Sequence, residues 1–500
     1  MRPPRPSLSR ASTVIGCLVA VAGTWYGLGG YPAVARAARV VVLGHDGHAT
    51  PRSDPFLARP SVTPAPSVSF GARVARVNPR VGTAERGVRS ELARLDRVGA
   101  ISIAAYRRYL GSFSAALNAV KRLRGARSEE LEAVIENLHG IAAAGMLTPS
   151  RLPALFLTLD RNRRWWTTGP LLSSGQRVEF AGSQLVWEYY PGQGLELQVL
   201  GSFGPVDSMY QGGPKYYPRI RELLGELIPL AAHRGGGLAW EYYFNFDGGV
   251  PPWTSAMSQG TAIQALTEAS EAFHDMSYLG LARRALPIFH DRPPSGVSVM
   301  TPHGTRFLLY SFAPGAAVIN GFLQALIGLY DYAKVSGNAD ATGLFESGDA
   351  EARAELPSFD TGAWSLYQPG QEDTLDYHTL VTGFLQQLCS RTHEQIYCTT
   401  AAHFEAYLKT PPALGLLTHR LRAGSAAVIR FHVSKISRVG ITLTRGGRTA
   451  LLTSADFGYG VNGFTIPALT RTGRYAIRLD ATDLAANYNQ ITGTIQVSRS

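Results

Sequence analysis

Three stretches concentrate aromatic and hydrogen-bonding side chains in Gly- and Pro-rich sequence. The first is Trp187-Glu188-Tyr189-Tyr190-Pro191-Gly192-Gln193-Gly194. The second is Trp240-Glu241-Tyr242-Tyr243-Phe244, followed by Pro251-Pro252-Trp253-Thr254-Ser255. The third runs from Asp360-Thr361-Gly362-Ala363-Trp364 through Tyr367 to Asp376-Tyr377-His378-Thr379. Trp and Tyr in loops offer flat faces on which sugar rings stack and polar ends that bond their hydroxyls. The competing role is that of half-buried core aromatics, which holds for most of the 22 Tyr. Concentration in Gly/Pro loops points instead to a saccharide cleft. No CxxC pair, HExxH, Walker A loop or GxGxxG is present, so zinc, redox and nucleotide chemistry have no motif support.

Four blocks are more specific. They are Pro-Trp-Thr-Ser-Ala-Met-Ser-Gln-Gly at 252–260 and Ile-Asn-Gly-Phe-Leu-Gln-Ala-Leu-Ile-Gly-Leu-Tyr-Asp at 319–331. Phe-Asp-Thr-Gly-Ala-Trp-Ser-Leu-Tyr at 359–367 and Asp-Tyr-His-Thr at 376–379 follow. In this order they resemble the D-glucuronyl C5-epimerase family, whose members epimerise glucuronate within heparan-type polysaccharides. The resemblance is strongest over 251–388, and Tyr-Tyr-Pro at 189–191 matches the family's hairpin region more loosely. It implies an α/α toroid preceded by a β-hairpin domain, a uronate-containing polysaccharide as partner, and no cofactor, metal or nucleic acid. By position the family's tyrosines fall on Tyr310, Tyr367 and Tyr377, with Tyr310 and Tyr367 as the main acid/base candidates and Tyr377 assisting. Tyr190, Trp253, Gln259, Asn320, His378 and Arg306 become candidates for holding substrate.

Epimerisation at C5 removes the proton α to the uronate carboxylate and returns one to the opposite face. It needs a base, an acid, and donors or a cation to neutralise the carboxylate as the carbanion forms. A phenol serves either role once a nearby positive charge lowers its pKa from about 10. One departure matters. In animal members the Tyr of the third block is followed by Asp-Leu-Arg, and that Arg can meet the carboxylate. Here Gln368-Pro369-Gly370 follows Tyr367, so the partner must come from elsewhere, with Arg306, Arg163, Arg164 and His378 as candidates. Two rival functions stay open: a uronate polysaccharide lyase, in which the same carbanion expels the 4-O substituent, and a non-catalytic cell-surface glycan-binding protein.

Elements must position these residues. A helical period runs from Gly87 to Leu147, through Leu92, Leu95, Tyr106, Leu110, Phe113, Leu117 and Val120, then Leu131, Val134 and Leu138. Residues 150–215 read as a β-hairpin region around Val178–Phe180 and Leu185–Trp187. Helices separated by Gly- and Pro-rich loops return over 216–410, the pattern of an α/α toroid. After Pro411-Pro412 the period becomes two, in short strands at about ten-residue spacing, which predicts an immunoglobulin-like β-sandwich over 411–500. The predicted fold class is thus mainly α with β additions.

The remaining features concern compartment. Arg2, Arg5 and Arg10 precede an uncharged apolar run from Ala11 to Ala35, so residues 1–37 read as an export signal, with an N-terminal membrane anchor as the alternative. Residues 38–86, with six Pro, read as a disordered linker. Export makes a disulfide between Cys389 and Cys398 the expectation. The net charge of +11 comes from 43 Arg and five Lys against 37 acids, which suits a polyanionic partner. A homodimer is compatible with this length and composition.

Overall fold

In a computed structural model, residues 38–57 and 81–499 are described. The predicted export signal and residues 58–80 of the Pro-rich segment lie outside them. The chain folds as two compact units, one ending at Thr254 and the other beginning at Ser255.

The first unit opens with strands β1 (Ala38–Leu43) and β2 (Ala49–Asp54), followed by helices α1 (Val81–Arg97), α2 (Ile103–Arg122), α3 (Ala126–Ala143) and α4 (Leu152–Thr168). Strands β3 (Arg177–Phe180), β4 (Trp187–Tyr190) and β5 (Gly194–Leu197) come next. Helices α5 (Val199–Phe203), α6 (Pro205–Gln211) and α7 (Tyr217–Leu227) and strands β6 (Ala232–Arg234) and β7 (Gly237–Ala239) complete it. The sequence signals act locally. Ser102 caps α2 by accepting from the N–H of Ala105 at 3.2 Å, and Phe113, Ala116, Leu117 and Val120 bury one stripe of that helix.

The main sheet has the order β2-β1-β3-β4-β5, with β1 parallel to β3 and the other pairs antiparallel. This corrects the linker reading for its ends. Residues 38–54 form a hairpin, because Val40 and Leu43 are buried and the run Val40–Leu43 extends the sheet, while the backbone of 81–86 already belongs to α1. The boundaries at 149 and 215 also move: α4 lies inside the predicted hairpin region, and 216–254 folds with the first unit rather than with the later helices.

The second unit contains α8 (Ala256–Phe273), α9 (Ser277–Ala285), β8 (Ser298–Met300), β9 (Thr305–Phe307), α10 (Ile319–Ser336) and α11 (Ala339–Glu355). The hairpin β10 (Leu366–Gln368) and β11 (Gln371–Glu372) and helices α12 (Leu375–Thr392) and α13 (Gln395–Tyr407) follow. Helices α8 and α10 are buried on nearly every face, α8 with Gln259, Gln264 and Thr267 among its buried residues, whereas α9, α11 and α13 bury one stripe. Accordingly α8, α10 and α12 pack together, and each pairs with the amphipathic helix that follows it. Glycine permits the closest approach: a Cβ on Gly328 would sit 2.0 Å from the carbonyl oxygen of Gly260. Cys389 and Cys398 are bonded, with Cα atoms 4.9 Å apart, tying the end of α12 to α13.

The C-terminal strands are β12 (Leu414–Leu416), β13 (Arg420–Arg422), β14 (Ala427–Val433), β15 (Ser437–Arg445), β16 (Arg448–Phe457), β17 (Gly460–Ile466), β18 (Gly473–Asp483) and β19 (Tyr488–Ser498). They form a three-stranded sheet, β12-β14-β17, and a five-stranded one, β13-β19-β18-β15-β16. Alternate residues such as Ile429, Phe431, Ile441, Leu443, Phe464, Ile477 and Val497 fill one core shared by both sheets, as the period of two predicts. No helix among the described residues is long and apolar enough to cross a membrane.

Candidate active site

The third sequence block folds into a small framework around Tyr367. Trp364 stacks on the imidazole of His378, centroids 3.8 Å apart, and its indole N–H donates to the carbonyl of Asp373 at 2.9 Å. The Ser365 hydroxyl bonds both Asp373 Oδ2 and, at 2.7 Å, His378 Nδ1. His378 Nε2 lies 2.9 Å from the carbonyl of Phe404, so Nε2 carries the proton and Nδ1 accepts. Burial lowers the His378 pKa to about 4 and raises that of Asp373 to about 7. Near pH 6 burial therefore favours a neutral His378 and a protonated Asp373 around the shared Ser365 hydroxyl.

This framework sets two phenols side by side. Tyr367 lies in β10, whose pairing with β11 slips between Leu366 and Gln368. Tyr367 is the extra residue of that bulge, the device by which strands re-aim a side chain. Tyr377 lies in the first turn of α12, whose N-cap Thr374 accepts from its N–H. The two rings are 5.2 Å apart, tilted by 58°, and both residues are buried.

Tyr310 arrives from another element. The hairpin β8–β9 leads into Leu308, whose carbonyl accepts from the first N–H of α8 at 2.9 Å. Leu309 packs against Gly321 in the first turn of α10. Tyr310 follows at once, buried and stacked on Phe312 at 5.3 Å. The starts of α8 and α10 therefore flank the segment that carries Tyr310. Gln259 and Asn320, both fully buried, lie in the first turns of those helices. Helix α10 packs against β10 and α12, the elements that carry Tyr367 and Tyr377.

Other candidates have different surroundings. Arg306 donates from Nε to Glu355 at 2.8 Å and pairs through Nη2 with Glu351 and Glu355, so its charge is met within the chain. His378 is neutral with both ring nitrogens engaged. In the first unit Tyr190 accepts from Gln198 at 2.9 Å and lies 4.7 Å from the Phe244 ring. Trp253 stacks on Tyr242 at 4.3 Å and donates to the carbonyl of Phe244. Arg163 pairs with Asp160, and Arg164 bonds the carbonyl of Gly44.

Burial corrects the expectation of exposed stacking platforms. Trp187, Trp240, Trp253 and Trp364 are all at most 1% exposed. The indole N–H of each of the last three finds a backbone carbonyl, which lets it enter the core.

Sequence reasoning missed what the glutamates of the two Trp-Glu-Tyr-Tyr runs do. Glu241 is held by Arg151 at 2.6 Å, by Arg234 at 2.6 Å and by the Tyr243 hydroxyl at 3.0 Å. Glu188 faces Arg177 on one neighbouring strand and Glu196 on the other. Burial raises its pKa to about 7, and holds Glu196 well above the usual carboxylate range. The alternation Arg177, Glu179 and Glu188, Tyr190 in strand-like sequence was the available signal. The turn after Tyr190 is fastened by Glu130, which accepts from the N–H groups of Gly192 and Gly194 at 2.9 and 3.0 Å.

The family model described as D-glucuronyl C5-epimerase C-terminus matches residues 235–406. The D-glucuronyl C5-epimerase of Caenorhabditis elegans is 30% identical over 178 residues, covering 31% of this chain and 29% of that protein. An uncharacterized protein of Methanocaldococcus jannaschii is 29% identical over 168 residues, covering 32% of this chain and 54% of the other. The chain thus spans under a third of the first relative's length and about half of the second's. Among solved structures, a sugar epimerase from a ruminal bacterium is similar at a TM-score of 0.30 and 14% identity, covering 42% of this chain and 58% of that one. Over residues 235–406 the chain is similar to the D-glucuronyl C5-epimerase family.

Proposed function

We propose that the chain is a carbohydrate epimerase that inverts C5 of glucuronate residues within a polysaccharide. The observation that carries this reading is the phenol pair of Tyr367 and Tyr377, 5.2 Å apart, inside the segment that matches the epimerase family. One phenolate takes the C5 proton while the electron pair of the C–H bond moves into the carboxylate. A phenol on the opposite face of the ring then returns a proton to C5, with no net redox change. Tyr310, placed by a separate element at the starts of α8 and α10, supplies a group from a second direction. The buried framework of Trp364, Ser365, Asp373 and His378 holds Tyr367 and Tyr377 in place without meeting the sugar.

In this reading the three helix pairs from α8 to α13 are part of an α/α toroid, and the two C-terminal sheets are an immunoglobulin-like sandwich. The disulfide of Cys389 and Cys398 fits export to an oxidising compartment, where a uronate polymer is the partner. Incubation of the chain with glucuronate-containing polysaccharides tests the reaction. An epimerase yields the C5-inverted uronate by NMR and no ultraviolet-absorbing product. An unsaturated uronate absorbing in the ultraviolet identifies a lyase instead, and neither product identifies a binding protein.

A further inference from the structure

The turn that joins α1 to α2 in the first unit combines exposed apolar side chains with unpaired positive charge. From Val98 to Tyr106 the sequence is uncharged, and it runs between Arg97 and the pair Arg107-Arg108. Its shape is fixed. Gly99 takes φ +69°, and the N–H of Ala100 donates to the carbonyl of Leu95 at 2.9 Å, which closes the end of α1. Ser102 caps the start of α2. On this frame Val98 is 62% and Ile103 52% exposed. Among the described residues of the first unit the other exposed large apolar side chains are Met146, Leu171 and Val250, each alone in sequence. Single exposed apolar residues are ordinary, whereas two on one rigid tip form a surface that lacks a cover.

The charges follow the same plan. Arg94 lies one helical turn behind Val98, and Arg107 one turn beyond Ile103, about 5.4 Å along each axis from the apolar side chains. Arg97 and Arg107 are exposed, and among the described residues neither is in an ion pair. Arg94 has Glu91 at 2.8 Å, an exposed partner that water and other anions readily replace. Basic residues in the last turn of α1 suit its dipole. Arg107 and Arg108 have no such reason, because they lie in the second turn of α2, toward its positive end.

The geometry points to this turn as a docking surface for an anionic lipid bilayer. Val98 and Ile103 enter the boundary between headgroups and acyl chains, and Arg94, Arg97 and Arg107 meet the lipid phosphates above them. A depth of about 5–10 Å, usual for interfacial helices, accommodates both layers. Lipid fits better than a soluble polyanion. A polysaccharide answers to the arginines, but aliphatic side chains gain nothing against its hydroxyls. The surface is separate from the apolar run of residues 11–35 and sets the folded first unit against the membrane whether or not that run is retained.

The test uses the full chain with Cys17→Ser, so that an introduced cysteine is the one free thiol beside the bonded Cys389 and Cys398. Ala100→Cys, exposed in the turn, carries an environment-sensitive dye. Val461→Cys, at a position 54% exposed in the second unit, carries the same dye as a control. On phosphatidylcholine vesicles containing phosphatidylglycerol the dye at 100 should shift to the blue and lose the shift in high salt. It should stay silent on phosphatidylcholine alone, and the control should stay silent on both. Arg97→Gln with Arg107→Gln should raise the lipid concentration required by at least about tenfold. Val98→Ser with Ile103→Ser should abolish the shift with little change in melting temperature, because both side chains are already exposed. The inference is overturned if the dye at 100 is silent on anionic vesicles, or if the Ser pair leaves the shift intact. It is equally overturned if both dyes respond alike, which places binding in the N-terminal run. A shift produced by dextran sulfate without lipid also overturns it, by making the surface a polyanion site.

Discussion

Asp373 and His378 share one serine hydroxyl, and burial moves their pKa values in opposite directions. In the unfolded chain near pH 5.5 the imidazole carries a proton, since a free His titrates at about 6.5 and a free Asp at about 3.9. In the folded chain the pKa of Asp373 is raised to about 7 and that of His378 lowered to about 4, both by burial. Both states then hold one proton across this window, so the pair adds little pH dependence to stability. Asp373→Asn exposes the missing half. Because the folded pKa of Asp373 is raised, its contribution to stability is present below about pH 4 and lost as pH rises to about 7. Relative to the unaltered chain, the variant should therefore become more stable as pH rises through that window, by a few kcal/mol on the order of one pKa unit per 1.4 kcal/mol. Melting temperatures of both chains from pH 4 to 8 check this, and a constant difference contradicts these shifts. The same residues show where sequence stopped being legible. The Asp-Tyr-His block marked the right helix start, but a histidine there reads alike whether it meets a ligand or the core. Trp is similarly ambiguous, since its ring is apolar and one N–H is easily satisfied by a carbonyl.

At the scale of elements, the hairpin that carries Tyr367 is braced from the C-terminal strands. Glu372 in β11 accepts from the backbone N–H groups of Ile436 and Tyr459, each at 2.7 Å. Lys435, 1% exposed, pairs with Asp483 at 2.7 Å, donates to the carbonyl of Tyr407 at 2.7 Å and lies 5.2 Å above the Trp364 ring. The C-terminal sheets therefore help hold the hairpin that carries Tyr367. Glu372→Ala removes an acceptor from two N–H groups and should lower stability by about 1–3 kcal/mol. It should also slow turnover more than it weakens substrate binding, because Tyr367 loses its brace. Thermal melts and a kcat-against-KM comparison check this; an unchanged melt contradicts the bracing. The strands themselves were legible from alternation, as in Ala427–Val433, where buried and exposed residues alternate. Their grip on β11 was not, because it joins residues more than 60 positions apart through backbone N–H groups that carry no sequence signal.

For the whole molecule, the long-period features were read well and the junctions less so. The helical, mixed and alternating stretches follow the sequence periods, and α10 declares its burial by being apolar on nearly every face, whereas the buried Ser, Thr and Gln of α8 conceal it. Composition misled over 38–54, where Pro and Ser suggested a linker but Val40–Leu43 adds a strand to the sheet. The break at Thr254 was invisible because it falls inside the Pro-Trp-Thr-Ser block, which serves both units. The central claim is that buried phenols move the C5 proton of a glucuronate residue. Its most direct measurement is deuterium incorporation at C5 of a glucuronate polysaccharide in heavy water, read by NMR, for the unaltered chain and for Tyr367→Phe. The account predicts C5 exchange with inversion in the unaltered chain and a fall of about 10²-fold or more in the variant, with substrate binding little changed. No exchange in the unaltered chain, or equal exchange in both, would contradict it.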